Sequence, residues 1–158
     1  MEKLKWGGVL STARIGRTQV IPAIQRSSNG EVVAIASRNE QTAKEAAEEL
    51  NIPRTFDSYE ALLDDPEIQA VYIPLPNALH KQWVIAAANK KKHVLCEKPV
   101  AITSAELDEM VSACKKNNVV FMEAFMYQFH PQHQKVKELI NQGMIGDVAL
   151  CVQAFLSI

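Results

Sequence analysis

Short, nearly continuous apolar runs alternate along this chain with longer stretches whose apolar positions recur at helical spacing. The runs fall at 6–10, 31–36, 53–56, 68–73, 94–96 and 119–123. They are short and bounded by Gly, Pro, Asn, Asp or Ser. The run at 31–36, Glu-Val-Val-Ala-Ile-Ala, is β-branched and apolar throughout after its first residue, as a strand covered on both faces should be. Six such strands alternating with helices predict a doubly wound parallel α/β sheet.

The intervening stretches carry helix signals. After the 11–16 turn, a helix bears Ile15, Val20, Ile21 and Ile24, with Pro22 expected to kink or shorten it. Residues 39–50 form an Ala- and Glu-rich helix burying Ala43, Ala46, Ala47 and Leu50. Asp57 with Glu60 resembles a capping box for a brief helix over Leu62 and Leu63. Asn77 is placed to cap the next helix, which has His80 in its first turn and runs through Trp83, Ile85 and Ala88. Thr103 and Glu106 form a second capping box, followed by Leu107, Met110, Val111 and Cys114 as a core stripe. A helix from Pro131 to Gln142 carries Val136, Leu139 and Ile140, with Gly143 and Gly146 as its cap and turn residues. From Asp147 the pattern changes to a two-residue period of mixed character, with Val148, Leu150, Val152, Ala154 and Leu156 on one face and Ala149, Cys151, Gln153, Phe155 and Ser157 on the other. This predicts the first strand of a second domain, since a lone strand has nothing to pair with.

Composition narrows the class. At 47% hydrophobic and 22% charged, the 158 residues can build one soluble core. With 17 basic against 18 acidic residues the formal charge is -1, so there is no electrostatic case for nucleic acid or an anionic membrane surface. Lys90-Lys91-Lys92 is too short to reverse this and is expected to mark an exposed helix end. Cys96, Cys114 and Cys151 stand singly, without CxxC spacing, and read as free thiols in a reducing compartment; no metal site is expected. The N-terminus lacks a long apolar segment and no run approaches the ~20 residues of a membrane span, so a cytoplasmic location is expected.

Candidate chemistry gathers where strands end, because open α/β sheets bind ligands at the carboxyl edge. Ser11-Thr12-Ala13-Arg14-Ile15-Gly16 follows the first strand; set against G-x-G-x-x-G, only Gly16 keeps its glycine. Small side chains there still admit a pyrophosphate, and Ser11 and Thr12 hydroxyls can donate, although an ordinary strand-to-helix turn reads the same way. At the second strand's tip, Ser37-Arg38-Asn39 has no acid to hold a ribose 2'-hydroxyl. A hydroxyl followed by guanidinium suits a 2'-phosphate instead, the alternative being a plain surface arginine. Pro74-Leu75-Pro76-Asn77 is a stiff turn, and His80 beyond it can serve cofactor, substrate or packing. Glu97-Lys98-Pro99 places an acid, a base and a proline at one strand end: a proton-transfer group or clamp, or else a solvated pair. The aromatic stretch 124–131 has a pocket wall's composition, which packing also explains.

Together these residues resemble the nucleotide-binding half of the GFO/IDH/MocA oxidoreductase family, which includes glucose-fructose oxidoreductase, inositol dehydrogenases and dimeric dihydrodiol dehydrogenases. The resemblance rests on Trp6-Gly7 with the 11–16 turn, on 33–38, on 72–77 with His80, and above all on 94–99. It continues through 122–127, 129–132 and 143–146. It implies a Rossmann-like domain over 1–126, with 127–158 as a linking helix and the start of a substrate and oligomerisation domain. It implies NADP, with NAD possible, held by Ser11, Thr12, Ala13, Arg14, Ile15, Ser37, Arg38, Pro74, Leu75, Asn77, His80, Glu97, Lys98 and Tyr127.

The implied reaction moves a hydride between nicotinamide and a hydroxyl or carbonyl carbon of a sugar, cyclic polyol or dihydrodiol. Lys98 handles the reacting oxygen's proton, Glu97 orients and balances it, and Pro99 fixes the turn. A homo-oligomer is implied for the full-length protein. Gln128 stands where many relatives carry arginine, and the family's second half is not in these 158 residues, so the piece is expected to fold and bind nucleotide without turnover. The alternatives are a regulatory or scaffold module that kept the fold without catalysis, and a methyltransferase using the same layers, which offers no reason for a Glu-Lys-Pro turn.

Overall fold

A computed structural model describes residues 4–150, which divide between residues 124 and 125 into two compact units. The first unit is a parallel sheet flanked by helices. Its strands are β1 (Leu4–Leu10), β2 (Gly30–Val32), β3 (Ala34–Ala36), β4 (Arg54–Phe56), β5 (Ala70–Ile73), β6 (His93–Cys96) and β7 (Phe121–Glu123). The predicted run at 31–36 is broken at Val33 into β2 and β3, both paired with β1. The sheet order is β4-β3-β1-β5-β6-β7. The chain builds outward from β1 to β4, then returns to the other side of β1 with β5. The direction of winding therefore reverses between β1 and β5, where the flanking connections diverge and leave a crevice.

The helices of this unit are α1 (Ile21–Arg26), α2 (Glu40–Leu50), α3 (Tyr59–Asp64), α4 (His80–Asn89) and α5 (Ser104–Asn117). Successive strand residues face opposite sides. Val9, Ile35 and Tyr72 pack with Ile21, Ala46 and Ala47 on one face. Leu10, Ala34, Ala36, Val71 and Ile73 pack with Leu62, Val84, Ala87 and Met110 on the other. Because both faces are covered, the strands read as apolar runs rather than alternating ones. Gly8 is needed for one of these contacts: a Cβ there would run into the Leu62 side chain and lie 3.2 Å from Val71 Cγ1.

Several local expectations change. Pro22 has no N–H and crowds the preceding turn, and the helix responds by widening: Gly16–Val20 is a π-turn, with the Ile21 N–H reaching Gly16 O, before α1 begins. Ile15 and Leu107 stay exposed rather than joining their stripes. The cap of α3 is Ser58, whose hydroxyl accepts from the Ala61 N–H (3.2 Å); Asp57 lies one residue too early for the role. Asn77 gives no side-chain cap, because residues Asn77–Leu79 first form a 3-10 turn and α4 starts at His80.

Lys92 is buried, not part of an exposed helix end. Its Nζ donates to Asp65 O (2.7 Å) and Ile68 O (2.8 Å), and burial lowers its pKa. The box at Thr103 forms: its hydroxyl accepts from the Glu106 N–H (3.2 Å) and Glu106 accepts from the Ile102 N–H (3.1 Å).

In the second unit, α6 (Pro131–Asn141) is capped by His130, and Gly143 and Gly146 take φ of +73° and +69°. Residues 147–150 are not in a strand, and the remainder of the alternating stretch, Cys151 included, lies outside the described residues. Among the described residues no strand pairs with 147–150, and an unpaired strand leaves its backbone groups without partners. Cys96 and Cys114 are free and buried.

Candidate functional site

Four turns of the first unit stand at the carboxyl edge of the sheet, after the adjacent strands β3, β1, β5 and β6. Three of them enclose a groove of about 500 Å³. Ser11, Thr12 and Ala13 line it from β1, Ser37, Arg38 and Asn39 from β3, and Pro74, Leu75 and Pro76 from β5.

Ser11 has φ +140°, a region glycine prefers, so the turn keeps a glycine-like backbone without a glycine. Its hydroxyl explains how. It accepts from the Ala13 N–H (3.2 Å) and donates across the switch point to Pro74 O (3.4 Å), tying the two turns together. Gly16 remains because space demands it: a Cβ there would lie 3.3 Å from Tyr72 Cε1 and 3.5 Å from Val9 Cγ1.

At the β3 tip, Ser37 is buried and accepts from the Asn39 N–H (3.2 Å), while Asn39 caps α2 through the Thr42 N–H (3.0 Å). Arg38 is exposed, with its guanidinium beside the Tyr59 hydroxyl. Burial raises the Tyr59 pKa, and the Arg38 charge opposes that rise. Tyr59 completes the groove and stands edge-on to Trp83 at 4.9 Å. Sequence reasoning missed Tyr59. Nothing in its local pattern, a residue following a helix cap, links it to an arginine on a different strand.

The β6 turn sits one strand further along. The Glu97 N–H continues the ladder to Ile73 O (3.1 Å), and the Lys98–Pro99 peptide is cis. The Glu97 carboxylate does not pair with the Lys98 ammonium as expected. Its Oε1 accepts from the Tyr72 hydroxyl (2.6 Å) and its Oε2 from the Lys98 backbone N–H (3.2 Å). Lys98 is exposed, and among the described residues its amine pairs with no carboxylate. Burial first, and then the Glu97 carboxylate, push the Tyr72 hydroxyl well above the usual phenol range, so it stays a donor. Glu123, from β7, closes the turn by accepting from the Val100 N–H (3.0 Å).

His80 lies beneath these turns, fully buried. Its Nε2 lies 2.7 Å from Leu75 O and its Nδ1 3.1 Å from Pro99 O. Neither ring nitrogen is left for a nucleotide, so the expected cofactor contact gives way to support of two turns from inside. Arg14 and Ile15 are exposed at the start of the helix after β1, and neither they nor Asn77 line the groove. Tyr127 belongs to the second unit, half-exposed, edge-on to Phe125 (5.3 Å) and tilted against His133 (5.3 Å).

Cys96 borders this turn from inside the sheet. Burial, followed by the charges of Glu97 and Glu123, pushes its thiol up to about 12 from 9.0. The unfolded thiol therefore loses its proton first. The stability contributed is complete below pH 9 and disappears as pH rises from 9 to 12; by about pH 10.5 the loss is about 2 kcal/mol. Urea unfolding at about pH 8 and about pH 10.5 should show a drop smaller by about 2 kcal/mol in Cys96→Ala than in the unsubstituted chain. Equal drops would refute this account of the thiol.

A nucleotide-sized groove at the switch point of a doubly wound sheet, with a lysine turn on the neighbouring strand, is the arrangement of a dinucleotide-binding oxidoreductase domain. The chain belongs to the GFO/IDH/MocA family: its family model, an oxidoreductase family with an NAD-binding Rossmann fold, matches residues 8–125. Among relatives, it is 51% identical over 133 residues to D-xylose 1-dehydrogenase (NADP(+)) 2 of Haloferax volcanii, covering 84% of this chain and 41% of that one. It is 39% identical over 149 residues to trans-1,2-dihydrobenzene-1,2-diol dehydrogenase of Xenopus laevis, covering 91% and 44%.

The fold superposes with a TM-score of 0.85 on the crystal structure of a 3-ketoreductase from Actinomadura kijaniata in complex with NADP and TDP-benzene. That pair is 34% identical, with 92% of this chain and 44% of the ketoreductase covered. The chain thus spans less than half the length of these relatives.

Proposed function

We propose that this chain is the cofactor-binding half of an NADP-preferring oxidoreductase acting on a hydroxyl or carbonyl carbon of a sugar, cyclic polyol or dihydrodiol. The observation that carries the reading is a groove rimmed by Ser37 and Arg38, with no acid at the β3 tip, one strand away from an amine with no carboxylate partner among the described residues. The relatives' names point the same way.

The groove suits a dinucleotide. Ser11, Thr12 and Ala13 offer small side chains and hydroxyls where a pyrophosphate needs close approach, Pro74 and Leu75 offer an apolar wall, and Arg38 offers a planar cation for a 2'-phosphate. Bound NADP supplies the hydride acceptor or donor. Lys98 Nζ then holds the substrate oxygen and moves its proton, and Glu97 anchors the lysine's backbone.

In this reading residues 1–126 form the dinucleotide-binding domain, and 127–158 lead into a substrate and oligomerisation domain of a cytoplasmic homo-oligomer. Among the described residues no helix is long and apolar enough to cross a membrane.

The cofactor assignment is tested on the 158-residue chain by thermal shift with NADP and NAD. NADP should stabilise it more. Arg38→Ala should cost roughly 10- to 100-fold in NADP affinity, the worth of a charge-assisted arginine–phosphate contact, while NAD binding changes little. Equal stabilisation by both nucleotides before substitution would end the NADP preference. Catalysis is tested with the intact gene product, by following NADPH absorbance with a panel of pentoses, inositols and dihydrodiols.

A further inference from the structure

We propose that Tyr72 is a positioning residue for the lysine turn: its hydroxyl, reaching from inside the sheet to Glu97 Oε1, fixes the carboxylate that in turn fixes the backbone of Lys98. This rests on the oxidoreductase reading given above. Tyr72 is in the central strand β5, 1% exposed, in a run whose other members are aliphatic. A buried phenol needs an acceptor, and the acceptor here is charged, at the short distance such bonds adopt.

The parallel register sets the pair up. Ile73 lies opposite Cys96, so Glu97 emerges beside the end of Tyr72's own strand. The ring lies close against Gly16, where a Cβ would stand 3.3 Å from Tyr72 Cε1. One residue thus packs under the nucleotide turn with its ring and grips the lysine turn with its oxygen. With both carboxylate oxygens engaged, by that hydroxyl and by the Lys98 N–H, Glu97 is held away from the ammonium. Among the described residues no carboxylate pairs with the amine, which leaves it for a substrate oxygen.

Tyr72→Phe removes only the oxygen and keeps the ring volume, so the fold should persist. In the intact gene product NADPH affinity should stay within about twofold and KM should barely move, while kcat falls about 10- to 100-fold, the scale of a small misplacement of a reacting group. In a Glu97→Ala background the same change should cost nothing further, because its route of action is already gone. A wild-type kcat in Tyr72→Phe overturns the proposal, as does a loss that persists undiminished when residue 97 is alanine.

A crystal structure of Tyr72→Phe supplies a measurement independent of any substrate. The Glu97 carboxylate should leave its place beside β5, and a carboxylate that stays put also overturns the proposal. If the unsubstituted protein turns over no sugar, polyol or diol, the oxidoreductase reading fails, and the crystallographic result alone decides the role of Tyr72.

Discussion

Replacing Lys98 by methionine in the intact gene product should lower kcat for hydride transfer about a thousandfold while leaving NADPH binding within about threefold, within the range set by losing a positioned proton-transfer group. Methionine keeps the length and the apolar stem of lysine and removes only the charged donor. The expected split follows from the site's construction. The nucleotide groove is made by the turns after β1, β3 and β5, with Tyr59, and Lys98 does not line it. The lysine is exposed on the next turn, and Glu97, which sequence alone pairs with it, is committed to Tyr72 and to the lysine's own N–H. Among the described residues its amine makes no ion pair. Steady-state rates read beside NADPH fluorescence titration make the check; turnover within about tenfold of the parent would remove Lys98 from its assigned role.

The largest effect on stability should come from Leu62→Ala. Leu62 is fully buried in the larger core, projecting from the short helix α3 onto β1, where Gly8 leaves the room that a Cβ would fill. A six-residue helix has little stability of its own and is held by what it buries. Truncation should cost about 2–5 kcal/mol from lost transfer energy and the cavity left behind. For a chain of this size that corresponds to a melting temperature lower by about 5–15 °C. Tyr59, one turn earlier on the same helix, contributes to the nucleotide groove, so NADPH affinity should weaken as well. A melting temperature within about 2 °C of the parent would show that α3 is anchored elsewhere.

The chain's apolar pattern was enough to specify the layered fold. Doubly covered parallel strands must be apolar on both faces, and amphipathic helices must show a helical repeat; both signals are local and survive in a single sequence. Turn chemistry was legible for the same reason. Ser37-Arg38 without an acid, the small residues at 11–13 and the Glu97-Lys98-Pro99 sequence sit where backbone geometry places them, at strand ends. Errors of one residue, such as Asp57 for Ser58 as a cap, arise because neighbouring side chains offer the same acceptor and only the actual backbone path selects between them.

Tertiary structure decided how the polar groups are partnered. Glu97 and Lys98 are adjacent in sequence and look like a pair, yet the carboxylate finds a phenol 25 residues away because the β5–β6 register brings it there. His80 looks available from its helix position, but the sheet and two turns close over it and two carbonyls face its ring. Lys92 looks like one of three exposed lysines, and packing turns it inward onto Asp65 O and Ile68 O. Periodicity determines which face of an element is buried. A buried polar group must satisfy its hydrogen bonds with whatever the fold brings within reach, and that depends on distant strands rather than on neighbours in the chain.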